Sequence, residues 1–286
     1  MFEDLIAPFQ YDFMLRAMWI SAVVGAMCAF LSCFLMLKGW SLMGDALSHA
    51  VVPGVAVAYL IKIPYAAGAL FAGLLAAGGM ALIRAQSRLK DDAVIGLVFT
   101  AFFAAGLLIA SLYPTSVSVQ TIIHGNILAI SDGDALQVAG ISFFTIAVLT
   151  AKWRDLAAVF FDEEHARTIG LKPERLKVAF FVLLAAATVA ALQAVGALLV
   201  IAMVITPGAT AYLLSDRFGR LIIIALALGS GLAVMGTYLG YVFDAHTGGL
   251  IVLLQTAGFL LAFVFAPKHG LLAQKSAALK TREASP

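Results

Sequence analysis

Leu183-Leu184-Ala185-Ala186-Ala187-Thr188-Val189-Ala190-Ala191 carries no charge and no alternation of polar with apolar residues. A strand of a membrane barrel must alternate, because one face meets lipid and the other the lumen. A run without alternation satisfies its backbone in hydrocarbon by coiling into a helix. The same texture extends over the chain: 286 residues, 63% hydrophobic and 12% charged, with a mean hydropathy of +1.02. Soluble domains carry roughly 25% charged residues, enough to cover a water-facing surface. This chain lacks that cover. The expected fold class is all-α, a polytopic transmembrane helical bundle.

Spanning helices need about 20 apolar residues each. That rule marks Phe13–Leu37, Leu42–Ile61, Tyr65–Ile83, Ala93–Leu112, Ala135–Thr150, Val178–Leu192, Ala194–Leu214, Leu221–Phe243 and Leu250–Ala266. Only Gln193 and Gly196 separate the sixth stretch from the seventh, so the count is eight to nine. Val117–Ile130 is too short and too polar to span and reads as an external or re-entrant stretch. No cleavable signal peptide is expected, since Glu3, Asp4 and Asp12 stand where a basic leader would. Residues 1–267 read as the membrane domain and 268–286 as a polar cytoplasmic tail expected to fray.

Orientation follows from basic residues, which stay on the cytoplasmic side. With 151–177 in the cytoplasm, parity places sixteen of the 18 Lys and Arg there and leaves only Arg16 and Lys62 outside. The N-terminus is then outside and the C-terminus inside. The acidic residues Asp132, Asp134 and Asp244 fall on the outer side.

Within this apolar chain, Gly44-Asp45-Ala46-Leu47-Ser48-His49-Ala50-Val51-Val52-Pro53-Gly54 stands apart. Positions i and i+4 share a helix face, so Asp45 and His49 project to one side near mid-span. Ionisable groups there are costly and usually line a bundle interior or a substrate path. One carboxylate and one imidazole make half of a divalent-metal site suited to Mn²⁺, Fe²⁺ or Zn²⁺, and not to the sulfur-seeking Cu(I). The competing structural reading is a hydrogen-bonded pair fixing two helices. Val52-Pro53-Gly54 also echoes Thr206-Pro207-Gly208, each followed by an Ala-rich run ending in Tyr-Leu. Such Pro/Gly-interrupted pairs can mark a substrate path, although a match this short also arises by chance.

The segment 151–177 contains Phe160-Phe161-Asp162-Glu163-Glu164-His165-Ala166-Arg167-Thr168-Ile169-Gly170-Leu171-Lys172-Pro173. Asp162 fits an N-cap and Gly170 a C-cap, with Pro173 beyond. This predicts one short amphipathic helix outside the bilayer, either an ordinary surface helix or a docking helix with apolar contacts from Phe160, Phe161, Ile169 and Leu171. Asp244 and His246 read as a solvated outer turn, as does His124. Gly236 and Gly240 form a GxxxG pattern that lets helices approach. Cys28 and Cys33 read as small core residues. The chain has no Gly-Lys dipeptide, hence no Walker A loop. It shows neither a zincin motif nor a nucleophile elbow, and no enzyme of covalent chemistry is expected.

Taken together, Ser41–Ala50, His124-Gly125-Asn126-Ile127-Leu128, Asp162–Leu171, Val195–Val200 leading to Thr206–Ala211, and Asp244-Ala245 with Thr247-Gly248 resemble the membrane permease of ATP-binding-cassette importers for zinc, manganese and iron. The resemblance covers nearly the whole chain. It implies a homodimer of permeases, two cytoplasmic ATPase subunits and an extracytoplasmic metal-binding protein, in a bacterial cytoplasmic membrane. It assigns Asp45 and His49 to the metal path, and Glu164, Ala166, Gly170 and Leu171 to the helix that meets the ATPase. His124 stands where an apolar residue or Phe is usual in that family, and His246 where Pro is common. The expected function is uptake of a divalent metal, Mn²⁺ or Fe²⁺ before Zn²⁺, with no tightly bound cofactor and no nucleic-acid partner. Two alternatives compete: a permease for a metal chelate, which keeps the architecture, and, from another class, a proton-coupled secondary transporter with Asp45 as carrier.

Overall fold

The computed structural model describes residues 7–40, 42–113, 127–267 and 270–273. The expectations for the 117–130 stretch, for His124 and for the tail from Lys268 fall mostly or wholly outside them. Among the described residues are eleven α-helices: α1 Asp12–Lys38, α2 Leu42–Ala50, α3 Val52–Leu60, α4 Tyr65–Gln86, α5 Asp91–Leu112, α6 Asp132–Phe161, α7 Glu163–Thr168, α8 Pro173–Val195, α9 Ala197–Leu214, α10 Phe218–Val242 and α11 Thr247–Phe265. Two single 3₁₀ turns, Ala7–Gln10 and Ile127–Ala129, complete the set. Eight helical stretches, with α2 and α3 counted as one, are long and apolar enough to cross a membrane; α9 is a shorter apolar helix.

The chain breaks where its sequence forces it to. Gly39 takes φ 73° at the end of α1, so its N–H reaches Met36 O and the Trp40 N–H reaches Leu35 O, closing the α1 carbonyls in a Schellman turn. Gly196, at φ 87°, separates α8 from α9, so the two stretches flanking Gln193 and Gly196 are distinct helices. The expected span Leu42–Ile61 is instead two helices meeting at Val51. Pro53 lies in the first turn of α3, where a missing N–H costs nothing. The expected Ala135–Thr150 runs on to Phe161. No helix breaker intervenes before Asp162, and emergence from lipid lets Lys152 and Asp155 pair one turn apart at 3.0 Å.

The first helix lies at the centre. In its apolar window 78% of residues are buried, against 22% for α5 and α11, which present their flanks to lipid. It packs most extensively on α10 and α9, then on α6 and α8. Lipid supplies no hydrophobic drive between helices, so close packing must hold them, and small residues make it possible. A Cβ on Gly25 would lie 2.4 Å from Gly229 O, so α1 and α10 cross in backbone contact. Gly236 and Gly240 seat Ile251 and Thr247 of α11 in the same way.

The two ends of the bundle are distinct. At one end Arg16 pairs with Asp132, Tyr11 faces Tyr241 and Phe9 faces Tyr238. At the other end Phe34 meets Phe160, Phe180 and Phe218. Tyrosine favours interfacial levels, whereas Phe34, Phe160 and Phe180 are buried within the bundle.

Candidate functional site

Helix α2 enters from the second end and carries Asp45 and His49 on one face. Gly44 lets it lie tight against α9, for a Cβ there would meet Val204 Cγ1 at 2.8 Å. Ser48 is buried and donates its hydroxyl to Gly44 O at 2.8 Å, so it serves its own helix. The His49 imidazole stands edge-on to Phe99 and Phe103 of α5, each 5.5 Å away. These two rings, themselves stacked at 6.0 Å, hold the imidazole plane. The sequence reading passed over both. Their signal was an aromatic pair at i and i+4 in a span with one further aromatic residue, Phe102.

The geometry of the pair suits a cation better than a lock. His49 Nε2 and Asp45 Oδ1 are 3.4 Å apart, longer than the 2.7–2.9 Å usual for a charge-assisted bond. Two metal–ligand bonds of about 2.1 Å meeting at a tetrahedral angle would set their donors about 3.4 Å apart. The Asp45 side chain is 37% exposed and that of His49 19%, so the carboxylate has open space beside it. Among the described residues no third His, Cys, Asp or Glu joins the pair.

The second Pro-Gly lies inside α9. There Ser32 of α1 accepts from Gly208 N at 3.0 Å and donates to Ile205 O at 2.9 Å. One hydroxyl thus bridges the helix around Pro207, which has no N–H of its own to donate. Gly54, in the first Pro-Gly, lies against Gly68 of α4, whose carbonyl oxygen would be 2.0 Å from an added Cβ.

The segment after α6 forms the expected short helix. Asp162 caps α7, its carboxylate accepting from His165 N at 3.0 Å. At the far end Gly170, at φ 84°, donates to Arg167 O, and Leu171 N donates to Ala166 O, a second Schellman turn. Charges pin the helix to α8: Glu163 accepts from Lys177 at 2.5 Å and from Arg167 at 3.1 Å, and Arg167 also reaches Glu174 at 3.1 Å. Partial desolvation pushes the Glu163 carboxyl up, but the bonds from Lys177 and Arg167 outweigh it and hold it below its ordinary value.

The faces of this segment divide sharply. Ala166 is fully buried against the bundle and seats the helix. Glu164 and Gly170 are exposed, and Leu171 is half-buried. Phe161 and Ile169 are 82% and 57% exposed, whereas Phe160 is 3% exposed. Of the four apolar contacts expected for docking, Phe160 therefore belongs to the core, because the turn of α6 aims it at Phe34, Trp40 and Phe180. At the opposite end of the bundle, His246 caps α11 through Nδ1, which accepts from Gly249 N at 3.2 Å.

Comparison with known proteins places the chain among relatives. The chain matches the model of the ABC 3 transport family over residues 10–266. It is 64% identical to the chelated iron transport system membrane protein YfeC of Yersinia pestis, over 96% of this chain and 94% of that one. It is 46% identical to the manganese transport system membrane protein MntB of Synechocystis, over 95% and 89% of the two chains. Among solved structures, PsaBC from Streptococcus pneumoniae in complex with Fab superposes with a TM-score of 0.85 at 35% identity, covering 96% of this chain and all of that one.

Proposed function

We infer the function of this chain from the premise that it belongs to the ABC 3 transport family. It is a multi-pass membrane permease of an ABC-type metal importer. ATP hydrolysis belongs to separate cytoplasmic subunits, which dock on Glu164, Gly170, Leu171 and the exposed Phe161 and Ile169. An extracytoplasmic binding protein delivers the ion to the opposite end, and a second copy of the permease completes the assembly. The N-terminus faces outward and the C-terminus the cytoplasm, as the basic residues require.

The observation that carries the metal path is the open Asp45–His49 pair, a carboxylate oxygen and an imidazole nitrogen at the separation two bonds to one ion would set. Incomplete coordination is what passage needs, since an ion held too well does not leave. The two groups replace part of the hydration shell, and water or carbonyls supply the remainder. Oxygen and nitrogen donors suit Mn²⁺ and Fe²⁺, and the two relatives are named as chelated iron and manganese transport system membrane proteins.

The test is cellular Mn, Fe and Zn content in a deletion strain complemented with wild type or His49→Ala. Wild type is expected to restore Mn or Fe, and His49→Ala to fall to the level of the empty vector. Full restoration by the variant would remove His49 from the path. Because one relative is named for chelated iron, Asp45→Ala belongs in the same experiment. Uptake untouched by that change would favour a chelate moving past a wide wall.

A further inference from the structure

Trp40 stands between the two working parts of the protein. It is the residue after the Gly39 turn and lies two positions before α2 begins. Its backbone joins the helices on either side: the N–H donates to Leu35 O of α1 at 2.8 Å, and the carbonyl accepts from Met43 N of α2 at 3.1 Å. Its ring is only 5% exposed and is contacted by three other helices. Phe181 of α8 stacks on it at 5.4 Å. Phe160 of α6 meets it edge-on at 5.5 Å. The Arg84 guanidinium of α4 lies over it, 4.5 Å from the ring centre.

Two of these partners belong to the hairpin that carries α7. Asp162, two residues after Phe160, is the cap of α7, and Phe181 is on α8, to which Glu163 and Arg167 are tied by charge. On the other side, Trp40 is five positions from Asp45 in sequence and is anchored directly to the first turn of α2. A displacement of α7 that carries the α6–α8 hairpin with it must move Phe160 and Phe181. Close-packed rings shift between discrete arrangements and do not deform smoothly, so the Trp40 ring must follow or lose its contacts.

We propose that Trp40 is the positioning residue that transmits movement of the cytoplasmic helix α7 to the Asp45–His49 pair. The proposal rests on the metal-permease reading above. Arg84 contributes by holding the ring face from α4 through a cation–π contact, which gains strength where water is excluded. Phe34, Phe180 and Phe218 brace the same cluster from behind. Trp40 itself touches no ion.

The test uses the complete importer, permease with its ATPase and binding protein, in proteoliposomes supplied with Mn²⁺ and ATP. Mn²⁺ uptake and ATP hydrolysis are measured on the same samples. Trp40→Ala is expected to lower the ratio of uptake to hydrolysis by about twofold to thirtyfold, the range that single residues in coupled networks command, with hydrolysis retained. Trp40→Phe, which keeps a ring in the cluster, is expected to recover most of that ratio. A ratio that stays at the wild-type value in Trp40→Ala overturns the proposal.

A second measurement does not depend on how the alanine variant folds. The emission difference between wild type and Trp40→Phe isolates the Trp40 signal. It is expected to shift when the ATPase is loaded with a non-hydrolysable ATP analogue. A Trp40 signal indifferent to the analogue, in vesicles that transport, overturns the proposal equally. Asp45→Asn serves as the separate arm. If it transports Mn²⁺ normally, the metal-path reading fails while the Trp40 emission response remains readable.

Discussion

Ser32 sits on α1 but serves α9. Its hydroxyl reaches the backbone around Pro207 from another helix, accepting from Gly208 N and donating to Ile205 O, while Thr210 donates to Thr206 O from within α9. Removing it takes away two hydrogen bonds between α1 and α9, each worth about 0.5–1.5 kcal/mol net. Gly208 is constrained from the other side, because an added Cβ would lie 2.4 Å from Ser32 Oγ and 2.7 Å from its carbonyl oxygen. Overpacking of that kind costs about 1–3 kcal/mol. Ser32→Ala and Gly208→Ala are therefore both expected to melt at lower temperature than wild type in detergent; an unchanged midpoint for both would show that the bridge bears no weight. The sequence displayed Pro207-Gly208 as an interruption but gave no hint of Ser32, which lies 176 residues from Gly208. Asp45 and His49 were legible for the opposite reason: helix periodicity alone puts them on one face. Phe99 and Phe103 could be counted as an i, i+4 pair, but not as the wall behind His49, because only tertiary packing decides what an aromatic pair faces.

Helix α7 shows the same division at the scale of an element. Its ends were readable because caps are local: Asp162 reaches His165, and Gly170 turns the chain just after Thr168, the last helical residue. Its seat was not readable, since Ala166 is buried by tertiary packing and Phe160 by Phe34 and Trp40, far away in sequence. The charges that hold it also make it sensitive to acid. Glu163 titrates below its ordinary value because Lys177 and Arg167 bond the ionised form. Ionised Glu163 thus favours the folded state. Its contribution is complete above the unfolded-chain value of about 4.3 and disappears as the pH falls through the lower folded value. Comparing melting midpoints of wild type and Glu163→Gln from neutral pH to about pH 3 should show a constant gap at the upper end that closes at the acid end. A gap that persists in acid would assign the stabilisation to packing and not to the charge.

Across the whole molecule, the contacts sort into two ends. Arg16–Asp132 and the tyrosines lie at one, and Trp40, Arg84 and α7 at the other. Each helix therefore has a direction relative to its neighbours, and the basic residues supply the sign relative to the membrane. With Cys28 and Cys33 replaced, a membrane-impermeant thiol reagent on intact cells should label Asp244→Cys and spare Glu164→Cys until the membrane is opened. The reverse pattern would invert the assigned orientation. The number of apolar stretches was legible from hydropathy, eight long enough to span and one shorter, because burial in lipid leaves a compositional mark. The break at Val51 and the extension to Phe161 were not, since neither changes composition.

The central position of α1 has a consequence for biosynthesis. The most enclosed helix, α1, leaves the ribosome well before α9 and α10, whose surfaces enclose it. Until Gly229 arrives, the groove at Gly25 and Ala29 has no helix in it. The nascent chain must hold that groove against acyl tails throughout most of its own synthesis. A message truncated before Leu221 would release a product whose oldest part is still unfinished, an open seam for the membrane's quality-control proteases.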